Sequence, residues 1–220
     1  MADEQKRQLI VIGAGPGGYA AAFHAADLGL SVTLIDKEVN PGGVCLYRGC
    51  IPTKAVLHAA KLIIDAGKGT DMGIDFGEPQ IDLDRLRAWK NGVVEKLTKG
   101  LGYLCKKRRI EYIQATARLL GDHTVEVQKS GGETEKLMFE NLIVATGARP
   151  ATLPMLSPDL KNVMNSKGAL DLENIPETML VIGGGYIGLE LGSAYAALGA
   201  RVTIAEMTGG LMPGSDPELI

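Results

Sequence analysis

Residues 9 to 18 read Leu9-Ile10-Val11-Ile12-Gly13-Ala14-Gly15-Pro16-Gly17-Gly18, a short apolar run ending in a turn of four glycines and a proline. Tyr19 to Leu28 follows as an Ala-rich helix closed by Gly29, Ser31 to Ile35 as a second strand, and Asp36 stands just past its last apolar residue. The glycines Gly13, Gly15 and Gly18 form a Gly-x-Gly-x-x-Gly pattern, and Asp36 lies eighteen positions beyond Gly18. Such an arrangement combines a tight turn, close approach to a pyrophosphate, a helix N-terminus facing phosphate, and an acid directed at a ribose hydroxyl. A glycine pattern alone is weak. Set in a full βαβ unit, it predicts a dinucleotide site.

The pattern returns later in the chain. Met179 to Ile182 is a strand and Gly183-Gly184-Gly185-Tyr186-Ile187-Gly188 a turn. Leu189 to Leu198 is a helix closed by Gly199, and Arg201 to Ala205 a strand before Glu206. Glu206 again lies eighteen positions past the last motif glycine. Two fingerprints predict two nucleotide sites, hence electron transfer between cofactors rather than simple binding. An acid at 206 favours NAD, because an NADP site more often carries a cation for the 2′-phosphate.

Between them lies Gly42-Gly43-Val44-Cys45-Leu46-Tyr47-Arg48-Gly49-Cys50-Ile51-Pro52-Thr53-Lys54. Five residues of regular helix rise about 7.5 Å, more than the usual Cα separation across a disulfide. Cys45 and Cys50 can therefore bridge only if the backbone bends, and Gly49 and Pro52 make a distorted helix start the natural reading. A strained, accessible disulfide is a redox device; two unrelated thiols are the alternative. Lys54, alone, would be a solvated cation.

Composition narrows the class. The chain has 220 residues, 45% hydrophobic, with three cysteines and a formal charge of −3. That balance gives no reason to expect nucleic acid or an anionic membrane, and no apolar run approaches the roughly 20 residues that span a bilayer. The polar, mixed-charge start from Met1 to Gln8 resembles neither a signal nor a transit peptide, which predicts a cytoplasmic compartment. Sparse cysteines there point to catalysis rather than scaffolding. A helix is predicted over 55–67 and a long amphipathic one over 82–109, ending in four cations. Short strands are expected at 110–114, 117–120, 124–128 and 136–139, then a continuous apolar strand over 141–145 ending in Thr146-Gly147. Three prolines in 150–158 suggest a crossing between domains. Cys105 reads as an ordinary thiol and His24, His58 and His123 as ordinary histidines, and no metal ligand set is assigned.

In that order, the fingerprint, the cysteine pair, Ala145-Thr146-Gly147-Ala148-Arg149-Pro150 and the second fingerprint running on to Glu190 resemble the flavoprotein disulfide reductases. Within them the segments 42–54, 82–89 and 183–190 look like dihydrolipoamide dehydrogenase of the bacterial type, a likeness running from Ile10 to the last residue. The resemblance implies an α/β fold, with residues 1–150 as a Rossmann-like FAD-binding domain carrying the redox disulfide. Residues 151–220 would begin an NAD-binding Rossmann-like domain, truncated, with the interface domain absent. It implies that Gly13, Gly15 and Gly18 hold the FAD pyrophosphate, Asp36 the adenosine ribose, and Lys37 and Ala117 the adenosine, with Gly43 a further cofactor contact. Thr146 and Gly147 would also contact FAD, and Gly183, Gly185, Ile187, Gly188 and Glu206 the NAD. Cys50 would lie against the flavin and Cys45 exchange with substrate thiol, while Lys54 sits near the flavin N5 and pairs with Glu190 across the domain boundary, both of them among the cofactor-binding residues. The family more often has Glu at 36 and Gly at 117, and has Asn and Val where this chain has Tyr47 and Arg48.

The implied reaction oxidises dihydrolipoamide carried on the lipoyl domains of 2-oxo acid dehydrogenase complexes and delivers hydride to NAD, in a homodimer. Family members are about twice this length, and their His and Glu acid–base pair lies in the missing half, so the chain alone is expected to lack turnover. The rivals are a mercuric or glutathione type of disulfide reductase, and a non-enzymatic flavin-binding fragment.

Overall fold

In the computed structural model, which describes residues 6–153, 155, 156, 160 and 162–220, the first apolar run forms β1 (Arg7–Ile12). Residues 1–5, within the polar N-terminal stretch, and Pro154 and Pro158 of the expected crossing lie outside the described residues. β1 lies parallel to β2 (Val32–Asp36), with Leu9 opposite Val32 and Ile12 opposite Ile35. The helix between them, α1 (Pro16–Asp27), completes the βαβ unit.

Alternation along β1 sends its side chains to two cores. Leu9 and Val11 join Ala22, Leu34, Cys105 and Ile110 on one side. Ile10 joins Ile35, Val125, Val127, Leu137 and Phe139 on the other. A strand buried on both faces needs an unbroken apolar sequence, which is what β1 and β2 have.

Two strands do more than expected. β3 (Glu111–Gly121) runs parallel to β2 through Gln114 and then turns antiparallel to β4 (Thr124–Lys129) from Ala115 onward. β5 (Thr134–Val144) pairs antiparallel with β4 through Met138 and parallel with β1 from Phe139 onward. The five strands close a ring. The separate strands expected at 110–114 and 117–120, and at 136–139 and 141–145, are therefore single strands that change partner midway. Ala115-Thr116 and Glu140 interrupt the apolar pattern without being turn formers, so the change of neighbour looks like a break in the sequence.

The cysteine segment folds as α2 (Gly43–Arg48) and α3 (Cys50–Lys68), separated at Gly49, whose φ of −142° and ψ of −119° are not helical. The bend expected before Cys50 is present, and the helix runs unbroken into the 55–67 stretch. α4 (Leu83–Lys107) matches the long amphipathic pattern.

The chain divides into two compact units: residues through Tyr47 with Val94–Arg149, and Arg48–Val93 with Pro150–Ile220. In the second unit, β6 (Thr178–Ile182) and β7 (Arg201–Ala205) pair in parallel and are joined by α6 (Tyr186–Ala197). Gly192 lets α6 approach Val202 and Val181 closely. Val56 and Ala60 of α3 pack with Leu191, Ala194 and Tyr195 of α6 in one core. On β6, Leu180 is 61% and Ile182 54% exposed, so α6 covers only part of this two-stranded sheet.

A short helix that periodicity does not reveal, α5 (Ser166–Asp171), is held at both ends. Asn165 Oδ1 accepts from the Lys167 and Gly168 amides at the start. At the end, Arg87 of α4 donates to the carbonyls of Asp171 and Leu172 at 2.8 and 2.6 Å, and buried Lys90 donates to that of Leu170. The last carbonyls of a helix lack internal partners, and here two cations supply them.

Candidate functional site

The first glycine turn is built by close contacts that exclude a Cβ. Gly13 has φ +94° and donates to Ile35 O at 2.8 Å, and a Cβ on it would sit 2.3 Å from Ala145 O. The Cα of Thr146 lies 3.1 Å from the same point, so the chain leaving β5 meets the turn, and Gly147 follows with φ +77°. A Cβ on Gly18 would lie 1.7 Å from Gly13 O, which is what brings α1 hard against the turn.

The second turn repeats this geometry. Gly183 has φ +105° and donates to Ala205 O at 2.8 Å, and a Cβ on Gly188 would lie 2.2 Å from Gly183 O.

Gly15 and Gly185 are the N-caps of α1 and α6, and neither helix start receives a side-chain cap. The open amides and Cβ-free backbone of each turn suit a dinucleotide pyrophosphate. Ile187, in the first turn of α6, is half exposed.

The two acids serve the protein's own backbone in a way not visible in the sequence. Asp36 accepts from the Ala14 amide at 2.6 Å and the Glu38 amide at 2.9 Å. Glu206 accepts from the Gly184 amide at 2.7 Å and the Thr208 amide at 2.8 Å. Those backbone hydrogen bonds, Thr208 first, hold the Glu206 carboxyl below the usual carboxylate range. The loop after each acid then returns to the turn, Gly42 N donating to Ala14 O at 2.8 Å and Met212 N to Gly184 O at 2.9 Å. Each acid thus ties its glycine turn to the following loop, and a carboxylate with about four acceptor positions retains capacity for a ribose hydroxyl. At Asp36 the bond to the amide two residues on is an Asx-type turn, the one local signal that could have foretold it.

Other expected contacts are spread along the chain. Lys37 is exposed after Asp36, its carbonyl accepting from Gln114. Ala117 pairs with Val127 in the β3–β4 ladder and packs its methyl against the core. A Cβ on Gly43, where φ is +58°, would lie 2.4 Å from Gly15 Cα. The loop entering α2 is therefore pressed on the first glycine turn.

Cys45 is half-buried on α2 and Cys50 exposed at the start of α3. Tyr19 of α1 has its phenol pKa raised, by burial first and then by Cys45. Thr53 closes the bend, its amide and hydroxyl both donating to Gly49 O at 3.0 and 2.8 Å.

Within the second unit, Lys54 Nζ meets Glu190 Oε1 at 2.6 Å. This joins α3 to α6. The remaining groups are structural: Cys105 is buried, its pKa pushed up to about 11 by desolvation. His58 stacks on Trp89 with ring centroids 6.1 Å apart, and His123 Nδ1 lies 3.1 Å from Phe139 O. Among the described residues no helix is long and apolar enough to cross a membrane.

Comparison with known proteins agrees with this geometry. The family model described as pyridine nucleotide-disulphide oxidoreductase matches residues 7–220. Dihydrolipoyl dehydrogenase of Vibrio cholerae is 42% identical over 220 residues, 100% of this chain and 46% of the relative. Dihydrolipoyl dehydrogenase 2 of Haloarcula marismortui is 44% identical over 215 residues, covering 96% of this chain and 45% of the relative. The chain thus spans about half the length of the curated relatives it matches. A solved structure of the Cu(II) complex of the HOCl-induced flavoprotein disulfide reductase RclA from Escherichia coli superposes with a TM-score of 0.77. It is 28% identical, and the match covers 96% of this chain and 44% of that one.

Proposed function

Because the chain belongs to the pyridine nucleotide-disulphide oxidoreductase family, we propose that it carries the FAD site, the redox pair and the start of the NAD site of a dihydrolipoyl dehydrogenase. The observation that carries this reading is the Lys54–Glu190 ion pair, which links the helix begun by Cys50 to the helix begun by the second glycine turn. The helix that starts at Cys50 and the nucleotide turn it is tied to belong to one electron path.

In this reading residues 1–150 form the FAD domain and 151–220 begin the NAD domain. Gly13, Gly15, Gly18 and Gly43 hold the FAD pyrophosphate with Thr146 and Gly147, Asp36 takes the ribose, and Lys37 and Ala117 flank the adenosine. Gly183, Gly185, Ile187 and Gly188 take the NAD pyrophosphate and Glu206 its ribose. Bound there, FAD and NAD would supply the two-electron acceptor and hydride carrier that thiol chemistry lacks.

The chain's own part is thiol exchange. A thiolate of the dihydrolipoyl group attacks Cys45 Sγ in the oxidised pair, forming a mixed disulfide while Cys50 leaves as thiolate. The second substrate thiol then attacks its neighbour, closing the lipoyl disulfide and releasing Cys45 as thiolate. The pair has gained the two electrons the substrate lost. Lys54, held by Glu190, keeps a cation beside the helix start where Cys50 becomes anionic. The dithiol substrate would arrive on lipoyl domains of 2-oxo acid dehydrogenase complexes, and the complete protein would be a homodimer in the cytoplasm.

Two measurements test this. The purified 220-residue chain should show a flavin absorption spectrum; a colourless protein that takes up no FAD removes the first site. In a chain extended to the length of its relatives, Cys45→Ser or Cys50→Ser should abolish NAD-dependent oxidation of dihydrolipoamide. Turnover retained in either variant would exclude the pair from the reaction.

A further inference from the structure

Tyr47 stands where the resembling family carries Asn, and its side chain closes a contact within the first unit. Its hydroxyl donates to Asn40 O at 2.9 Å and accepts from the Asn40 amide at 3.2 Å, so one phenol engages both backbone groups of one residue. The space around this contact is tight. A Cβ on Gly42 would lie 3.3 Å from the Tyr47 ring and 3.1 Å from Thr98 Cγ2, and one on Gly102 would lie 2.3 Å from Asn40 Oδ1.

The loop so held begins at Asp36, which binds the Ala14 amide, and ends at Gly42, whose amide binds the Ala14 carbonyl. Cys45 lies two residues before Tyr47 on a helix of only six residues, too short to hold its own direction. Its orientation must come from its attachments. Gly43 against Gly15 fixes one end, and the Tyr47 hydroxyl on Asn40 fixes the other.

We propose that Tyr47 is a positioning residue for Cys45: its hydroxyl clasps the loop that leaves the first glycine turn and so sets the direction of α2. The inference rests on the reading of Cys45 as the exchanging thiol, and its consequence is that the clasp favours closure of the 45–50 disulfide.

The test uses the full chain, wild type against Tyr47→Phe, which keeps the ring and removes both hydrogen bonds. Trypsin cleaves after Lys37, Arg48 and Lys54, placing Cys45 on residues 38–48 and Cys50 on 49–54, so iodoacetamide labelling of the reduced protein is read separately for each. Tyr47→Phe should raise the Cys45:Cys50 labelling ratio about tenfold, the change expected for loss of a net hydrogen bond at a half-buried site. In glutathione buffers the glutathione disulfide oxidises the pair to a protein disulfide and is itself reduced to two thiols. The equilibrium constant for this closure should fall about tenfold, ~30 mV in the potential of the pair.

Asn40→Ala keeps the backbone partners and should leave both quantities unchanged. An unchanged ratio and potential in Tyr47→Phe, with Cys105 still protected, overturns the proposal. If that variant loses Cys105 protection, amide exchange in the wild type decides: an Asn40 amide exchanging at the open-loop rate refutes the clasp and a protected one upholds it. A wild-type pair that fails to oxidise in any glutathione buffer refutes the redox reading instead, leaving the labelling ratio to judge the clasp.

Discussion

If Asp36 served only a nucleotide ribose, removing its carboxylate would leave the ligand-free protein untouched. The structure predicts otherwise. Asp36→Ala takes the acceptor from the Ala14 amide, which belongs to a fully buried residue, and from the Glu38 amide. A buried donor left without a partner costs about 1–3 kcal/mol, and the second, more accessible bond adds ~1 kcal/mol. The sum is roughly 2–4 kcal/mol. For a chain of this size 1 kcal/mol moves the melting temperature by about 2–4 °C, so differential scanning calorimetry without added cofactor should show a fall of about 4–16 °C. Asp36→Asn should fall by less, because its amide oxygen can still accept one bond while its NH2 faces the other N–H. A melting temperature within about 1 °C of wild type in Asp36→Ala would refute the clamp and return the acid to ligand binding alone.

Gly43→Ala must place a Cβ at φ +58° and 2.4 Å from Gly15 Cα. Left-handed backbone costs about 1–2 kcal/mol and the overlap about 1–3 kcal/mol more, and urea unfolding should show a loss of roughly 2–5 kcal/mol. Cys105, with a pKa of about 11 and a buried side chain, should resist iodoacetamide at about pH 8 while Cys45 and Cys50 react; equal labelling of all three in the native protein would contradict the packing. Burial lowers the Lys90 pKa below the ordinary lysine value, so the unfolded chain binds that proton more tightly than the folded one. Lys90 therefore contributes rising stability as pH climbs toward the ordinary lysine range. Urea midpoints between about pH 7 and about pH 10 should rise more in wild type than in Lys90→Met, and an equal response would oppose it.

Legibility differed from one contact to the next. Both glycine turns were legible because their demands are local: a positive φ at Gly13 and Gly183 and the absence of a Cβ at Gly18 and Gly188 are read from residue type and spacing. The bend between α2 and α3 was legible in Gly49 and Pro52 for the same reason. The exchange of partners in β3 and β5 was not, because pairing is a property of two strands and the residues at the change carry no turn signal.

By itself the sequence determined the two βαβ units, the cysteine segment and the family, since backbone conformation and periodic burial are written in neighbouring residues. Only the tertiary structure decided that Asp36 and Glu206 hold their own turns, that Arg87 and Lys90 finish α5, and that Tyr47 grips Asn40. Apart from the short clasp between α2 and the loop before it, these contacts join residues at least 22 positions apart in the chain. The partner of a polar group is chosen by which backbone and side chains the packed core brings within about 3 Å, and no local pattern encodes that choice.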